Sequence, residues 1–415
     1  MRMFALLLLA AALPAAAGDD DDAALSLADK TTAVAAQTSN WHLYLEAAGT
    51  EARPQIPGYA VHGERLSFDV KYDDTFVPGL RAVFSDHVDT TRMDGIPGDQ
   101  NINTLKEAYL SWHAQTDFIA DLGRINIRNG VGYGYNPTDY FRADAVRSII
   151  SLDPASLREN RLGSVMVRGQ KLWDSGSLTA LYSPGLVDQP TSNGFSPDLG
   201  ATNRQGRWQL ALSEKFTDKI SPQWLLTGGE RQSPQLGMNL SALANDATVV
   251  YLEWSGGRKT PLLAQALMSP GNEAFRSSIS TGLTYTTPNN ISLTAEFEYN
   301  GAGLDQTNWN ALQRGPLQIY GLYRVFVGNV LDLPTTRNLF FYSMWQDAMI
   351  KHLDLAAMVR YDAVDYSRLQ WVEARYHWTR VDIALQLQID NGHLTSDFGA
   401  LPDRRLWQAL ARFYF

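Results

Sequence analysis

The 415-residue chain contains no cysteine. That absence excludes a disulfide framework, thiolate metal sites and cysteine nucleophiles. Long hydrophobic runs are missing as well. Beyond residue 18 no stretch approaches the roughly 20 apolar residues that a transmembrane helix needs, so a helical membrane protein is excluded. Basic residues are outnumbered, 35 against 44 acidic, and the net charge of -9 argues against a nucleic-acid partner. Histidine is sparse: His42, His62, His87, His113, His352, His377 and His393 are scattered, and no Ser or Asp beside them forms a nucleophile motif. No metal-ligand cluster, phosphate loop or dinucleotide fingerprint is present, because the alternating Gly130, Gly132 and Gly134 lack a following βαβ unit. The expectation is a protein that is not an enzyme and carries neither cofactor nor metal. A lipase or protease with catalytic residues remote in sequence stands as the alternative.

What the chain has is alternation. Hydrophobic residues make up 45% and aromatics 11% of it, yet the mean hydropathy is only -0.23. Side chains along a strand point to opposite faces in turn, so a strand between lipid and a watery lumen needs apolar residues at every second position only. The last residues show this: Trp407, Ala409, Ala411, Phe413 and Phe415 share a face. A terminal Phe with apolar residues stepping back by two resembles the signature that barrel-assembly machinery recognises. In Asn290 to Gly301, Ile291, Leu293, Ala295, Phe297 and Tyr299 oppose Ser292, Thr294, Glu296, Glu298 and Asn300. Val381, Ile383, Leu385, Leu387 and Ile389 oppose Asp382, Gln386, Gln388 and Asp390 in the same way.

Eighteen segments carry this period, near 41-48, 62-73, 78-88, 104-115, 117-128, 160-171, 174-184, 206-216, 219-230, 246-256, 261-269, 276-287, 290-301, 337-348, 351-362, 366-378, 380-390 and 403-415. Sixteen or twenty strands remain open, since one pair is easily miscounted. Links after even-numbered segments are short, among them 73-77, 115-116, 256-260 and 288-289. Links after odd-numbered segments are longer, the largest near 129-159, 185-205 and 302-336. Short periplasmic turns alternating with long extracellular loops characterise single-chain outer-membrane barrels. The fold class expected is therefore an all-β, antiparallel, up-and-down transmembrane barrel over 40-415. Trp173, Trp254 and Trp378 are placed on the outward register at the short-turn ends, at headgroup level.

The amino-terminus fits that destination. Arg2, an apolar stretch from Phe4 to Leu13 and small residues at Ala15 and Ala17 make residues 1-17 a secretory signal peptide. The acidic, Ala- and Thr-rich stretch 18-39 reads as a mobile periplasmic leader.

Gly123-Arg-Ile-Asn-Ile-Arg-Asn-Gly-Val-Gly-Tyr-Gly-Tyr-Asn-Pro-Thr-Asp-Tyr-Phe-Arg142 is the most distinctive segment. Here the chain resembles porin-like bacterial outer-membrane proteins, in which a strand ending in Gly-Arg leads into a glycine-rich stretch and an Asn-Pro loop. The resemblance implies that the following loop, 129-159, folds into the lumen as a constriction; lying outside as a lid or lipopolysaccharide contact is the alternative. Asn136-Pro137 makes a turn, 138-150 has mixed helical periodicity, and Asp153-Pro154 reads as a helix N-cap followed by its first residue.

Arginine is concentrated in and beside this loop, at Arg124, Arg128, Arg142, Arg147, Arg158, Arg161 and Arg168. If Gly123 marks a bulge, Arg124 and Arg128 point inward, as does Arg168. Across the barrel, Glu296, Glu298, Glu373, Asp382 and Asp390 are inward by alternation. Basic residues facing acidic ones across water would tune selectivity by charge. The alternative is that these residues pair with their neighbours, Glu373 with Arg375 for example. His113 is expected on the lumen face with Glu107 and Ser111. Tyr133, Tyr135, Tyr140 and Phe141 are read as packing residues more than as a sugar-stacking track. Asp94, Asp99, Asn101 and Asn103 are read as solvated loop residues, since their spacing does not match an EF-hand calcium loop.

The functional expectation is an outer-membrane channel for passive diffusion of small hydrophilic solutes. Its partners would be outer-membrane lipid, lipopolysaccharide and, through the strand ending at Phe415, the barrel-assembly machinery. A polysaccharide or lipid export conduit and a plugged surface-binding barrel are the other readings.

Overall fold

The computed structural model describes residues 39–415 except 57 and 218, so the expected signal peptide and all but the last residue of the leader lie outside the described residues. The strands are β1 Trp41–Pro54, β2 Val61–Val77, β3 Leu80–Met93, β4 Gln100–Gln115, β5 Phe118–Ile125 and β6 Ser164–Trp173. They continue as β7 Gly176–Ser183, β8 Arg207–Glu214, β9 Ile220–Gly229, β10 Gln232–Asn245, β11 Thr248–Lys259 and β12 Ala274–Thr286. The last six are β13 Ile291–Asn300, β14 Arg337–Trp345, β15 Leu353–Asp362, β16 Arg368–His377, β17 Val381–Asn391 and β18 Asp403–Tyr414. Five helices lie between strands: α1 Pro154–Glu159, α2 Leu199–Thr202, α3 Leu262–Ala266, α4 Gln306–Arg314 and α5 Leu317–Val330. No described helix is long and apolar enough to cross a membrane.

All eighteen strands belong to one sheet in which sequence neighbours pair antiparallel. β1 also pairs with β18, from Tyr44 opposite Tyr414 to Arg53 opposite Arg405, and this closes the barrel without a free edge. Burial shows which face is which. On β13, Leu293 and Phe297 are 43% and 40% exposed, while Glu296 and Glu298 are 3% and 0% exposed. Polar side chains inside and apolar ones outside is the inverse of a water-soluble sandwich, and it suits a barrel in lipid. The barrel therefore belongs in the bacterial outer membrane.

Connections after even-numbered strands are tight, such as the two residues between β6 and β7 or β10 and β11. The longest connections follow β5, β7 and β13. Exposed Trp41, Trp112, Trp173, Phe216 and Trp378 form an aromatic girdle near the tight-turn end. Trp254 is the exception to the sequence reading. It points outward but lies in the half of β11 nearer the long connection, and its indole donates to Ser277 Oγ at 3.2 Å.

The count of eighteen is right through two compensating errors. β10 is absent from the sequence reading, because Pro234 and Gly237 interrupt a pattern that Leu236, Met238, Leu240 and Ala242 otherwise carry. The segment 261-269 is not a strand: it holds α3, whose Leu262 packs into a cluster with Trp309, Leu312, Tyr320, Tyr323 and Val327 of α4 and α5. A short apolar run has no period of its own, so strand and helix look alike there. The supposed turn at 256-260 is the end of β11.

Candidate functional site

β5 is eight residues long and stops at Ile125, although its neighbour β4 continues far beyond their last pair, Ala108 with Arg124. From there the chain leaves the wall, returning only at β6. Its glycine-rich part is bonded to β11 and β13, on the far side of the ring in strand order. Glu253 of β11 accepts from the backbone N–H of Val131 (2.9 Å), Gly132 (3.0 Å) and Thr138 (2.7 Å). It also accepts from the Thr138 hydroxyl at 2.8 Å and the Asn136 amide at 3.2 Å. Glu296 of β13 accepts from the backbone N–H of Tyr133 and, at 3.0 Å, of Gly134, and from the hydroxyls of Tyr251 and Ser280 at 2.8 Å each. Hydrogen bonds from neutral donors to a carboxylate are roughly twice as strong as neutral pairs, so two side chains hold the whole segment.

This docking explains the alternating glycines. A Cβ at Gly130, whose φ is +103°, would lie 2.6 Å from Glu253 Oε1, and one at Gly132 would lie 2.7 Å from Ser280 Oγ. At Gly134 it would meet the Glu298 carboxylate and the Phe340 ring. The backbone can approach the acidic wall only where it has no side chain.

The aromatic residues pack, as expected. Tyr133 lies 4.9 Å from the Tyr342 ring, Tyr135 donates to Asp332 at 2.6 Å, and Tyr140 is 3.0 Å from Ser255 Oγ. Arg207 sits 4.5 Å over the Phe141 ring. Burial pushes the Tyr135 phenol well above its ordinary range and that of Tyr140 up to about 12, so both stay protonated donors.

The Asn136–Pro137 turn is present, with Asp139 N–H donating to Asn136 O at 3.2 Å. So is the capped helix: Asp153 accepts from Ser156 N–H at 3.1 Å, and Pro154 occupies the first turn of α1. The segment 138-150, expected to show helical character, is a series of turns. Two of its groups bond to partners outside it, the Asp139 carboxylate to a side chain and the Asp144 amide to a backbone carbonyl. Arg161 donates to Asp139 (2.7 Å), Asn126 (3.1 Å) and Ile127 O (2.8 Å), and Asp144 N–H bonds Asn329 O at 2.7 Å.

The arginines expected to line a pore divide into two groups. Arg124 is buried, donating to Pro197 O at 2.5 Å and Leu105 O at 3.4 Å. Arg147 donates to Asn103 O (2.8 Å), Ser196 O (2.7 Å) and Asn193 O (2.9 Å). Together they bind the β7–β8 connection to the part of β4 that β5 leaves without a partner, so they are wall staples. No register shift occurs at Gly123, although its φ is +139°. The shift is across in β4, where Lys106 is the extra residue between the pairs Ser85–Glu107 and Asp86–Leu105. Arg142 donates to Asn136 O and lies 3.4 Å from Asp332, inside the loop. Arg168 is on the inner face of β6 and partly exposed, 2.7 Å from Asp121. Arg128 is also partly exposed.

The acidic residues are likewise unequal. Glu298 is fully buried beneath Gly134, with no hydrogen-bond partner for either oxygen. Glu373 is held by Arg375 through two bonds of 2.8 and 2.9 Å, the local pairing weighed from the sequence. Asp382 accepts from Tyr414 at 2.8 Å and lies 2.9 Å from His377 Nδ1. Asp390 is buried and takes the Gln388 amide at 2.6 Å. The four residues considered for calcium are not gathered: Asp94 binds His62, Asp99 lies 3.6 Å from Arg92, and Asn101 and Asn103 bond Thr90 and Asp86 on β3.

Two features escaped the sequence reading. Glu253 shares the inward register of Tyr251 and Ser255, so the alternation that marked Glu296 also marks it. The second is a buried charge network on β1 to β4 and β18. Glu46 is gripped by Arg65 (2.7 Å) and Arg412 (2.8 Å), and His87 lies between Asp69 (2.8 Å) and Asp89 (3.0 Å), with Lys106 2.6 Å from Asp69. Both ring nitrogens of His87 face carboxylates, so neither is left to activate a hydroxyl nucleophile. Among the described residues no group of three or more His, Asp or Glu could hold a metal ion.

No protein-family model matches the chain, and no curated protein matches it in sequence. Solved structures do. Pseudomonas aeruginosa OpdQ superposes with a TM-score of 0.55 at 9% identity, covering 91% of this chain and 99% of that one. Acinetobacter baumannii OccAB1 gives 0.56 at 11% identity over 91% and 96%. Pseudomonas aeruginosa OccK7 (OpdD) gives 0.54 at 8% identity over 91% and 99%. The fold is thus that of the porin-like outer-membrane barrels.

Proposed function

We propose that this barrel is an outer-membrane channel for passive diffusion of small hydrophilic solutes, with residues 129-159 narrowing the passage. The observation that carries the reading is the attachment of 131-138 to Glu253 and Glu296 across the ring from β5. A segment tied to both sides of a barrel obstructs it by geometry and sets its effective width. Arg168 and Arg128 on one side and Glu373 on the other retain partial exposure, and they are the residues through which charge would act on a passing solute. An export conduit for an acidic polymer needs free arginines of one sign along its lining. Arg124, Arg142, Arg147 and Arg161 are instead occupied by protein partners.

The test is single-channel conductance in planar bilayers for the native chain, a 138-156 deletion and Glu253→Gln/Glu296→Gln. Steady conductance that rises in both variants supports the reading. No conductance in any of the three overturns it in favour of a plugged scaffold, which the extent of buried lumen-face charge around His87 and Glu46 would then explain.

A further inference from the structure

Strand register places a second set of charges on the outer surface, at the long-connection end of β13 to β18 and β1. Outward positions there carry Tyr299, Arg337, Tyr361, Arg368, Arg405 and Arg53. Tyr299 stands opposite Arg337, Tyr361 opposite Arg368, and Arg405 opposite Arg53. The orientation is fixed by the next residues inward: Asn338, Leu369 and Ala52 are buried, while Phe341, Val372 and Trp407 on the arginines' own face are exposed. Among the described residues Arg337, Arg368 and Arg405 make no ion pair, and Arg53 has only Glu51 at 3.8 Å. Arg405 Nε is buried without a hydrogen-bond partner.

Arginines directly opposite each other on one face of an antiparallel pair hold their Cβ atoms about 5 Å apart and destabilise it. That arrangement costs the isolated barrel stability, and an anion bound between the guanidinium groups would reverse the sign. Among the described residues the rest of the rim lacks this feature: Arg92, outward on β3, stands opposite Glu64 and lies 3.6 Å from Asp99. On the opposite sector the outward residues at the same end include Tyr182, Trp208, Trp254 and Phe275, and the outward Arg258 is 3.7 Å from Glu273.

We infer that the belt from β14 through β18 to β1 binds the phosphate groups of outer-leaflet glycolipid. Arg53 and Arg405 form the central clamp. Arg368, two strands across and two residues offset in register, so about 12 Å from it, is a second phosphate contact. Exposed Trp407 below the clamp lies against the acyl region. The partner's chemistry follows from position: the guanidinium groups face lipid rather than lumen, at the interface depth where phosphates lie, and arginine binds phosphate bidentately. The inference rests on the long connections facing outside the cell, not on the channel reading.

The test uses the folded full-length barrel in detergent, with folding checked by its heat-shifted gel mobility. Bis-phosphorylated lipid A, the same lipid dephosphorylated, phosphatidylglycerol and inorganic phosphate are added separately, and bound lipid is counted by native mass spectrometry. Lipid A should bind and raise the unfolding temperature. Arg405→Gln and Arg368→Gln should each weaken it about fivefold, the ratio expected for roughly 1 kcal/mol per basic residue. Arg405→Lys should retain most of the binding, and Arg258→Gln should retain all of it. Arg368 is exposed and unbonded, so its variant folds whatever becomes of the clamp. Equal binding of the dephosphorylated lipid, of phosphatidylglycerol or of inorganic phosphate would overturn the assignment, as would unchanged affinity in both Gln variants.

Discussion

Two walls of the lumen carry buried carboxylates, and they are used differently. On β11 and β13, Glu253 and Glu296 accept mainly from backbone amides and hydroxyls, all neutral donors belonging to a connection that crosses the barrel or to adjacent strands. On β1, β2 and β16 to β18, Glu46 and Asp382 face Arg65, Arg412 and His377, all side chains of the wall itself. A carboxylate compensated by a neighbouring cation is neutral to the outside and adds to the wall's cohesion. One that reaches for amides across the lumen holds a distant piece of chain in place. The first kind should govern stability and the second conductance.

The largest expected effect is on the paired wall. Glu46→Ala takes the shared carboxylate from Arg412 and leaves Arg65 only Asp89, at 3.5 Å, in a buried seam, and loss of one partner of such a set costs about 3–5 kcal/mol. Denaturant unfolding followed by gel mobility should show this, with single-channel conductance unchanged in the molecules that fold. A change in conductance without loss of stability would erase the distinction between the walls.

Glu253→Ala should act the other way. Its amides can turn to lumen water, so the stability loss is about 1–3 kcal/mol, at the level of unsatisfied donors. Conductance should rise severalfold and become noisy as 131-138 detaches. Gly134→Ala tests the same contact from the loop's side. The added methyl meets the Glu298 carboxylate and Phe340, and overpacking of this kind costs about 1–3 kcal/mol while displacing the segment. Conductance altered in the same sense as Glu253→Ala is the expected result.

The smallest effect on the width of the lumen is at Arg168, a partly exposed guanidinium on the buried carboxylate of Asp121. Arg168→Gln takes the charged partner from a buried carboxylate, so the stability loss should be about 1–3 kcal/mol. Reversal potentials in a salt gradient should nevertheless move toward cation preference.

The alternation of apolar and polar residues made the barrel legible, because lipid on one side and water on the other impose a period of two over every strand. It failed where the period was interrupted, at Pro234 in β10, or too short to exist, at α3. The helix cap at Asp153 was legible because it is local chemistry. The roles of the arginines were not. Arg124 and Arg147 look like pore residues by composition, and only the early end of β5 reveals that they repair the wall. Nor could the sequence pair Gly132 with Glu253, 121 residues away, although the run of glycines recorded that something approached closely.

The distance between those partners has a temporal meaning. Glu253 and Glu296 are synthesised 122 and 162 residues after the amides of Val131 and Gly134 that they receive. Until β11 and β13 have joined the sheet, the segment after β5 has no seat. It must wait, hydrated and loosely held, until the second half of the barrel arrives. Seating of this segment is thus a late event in folding, and a partly formed barrel that lacks β11 and β13 leaves its amides to water.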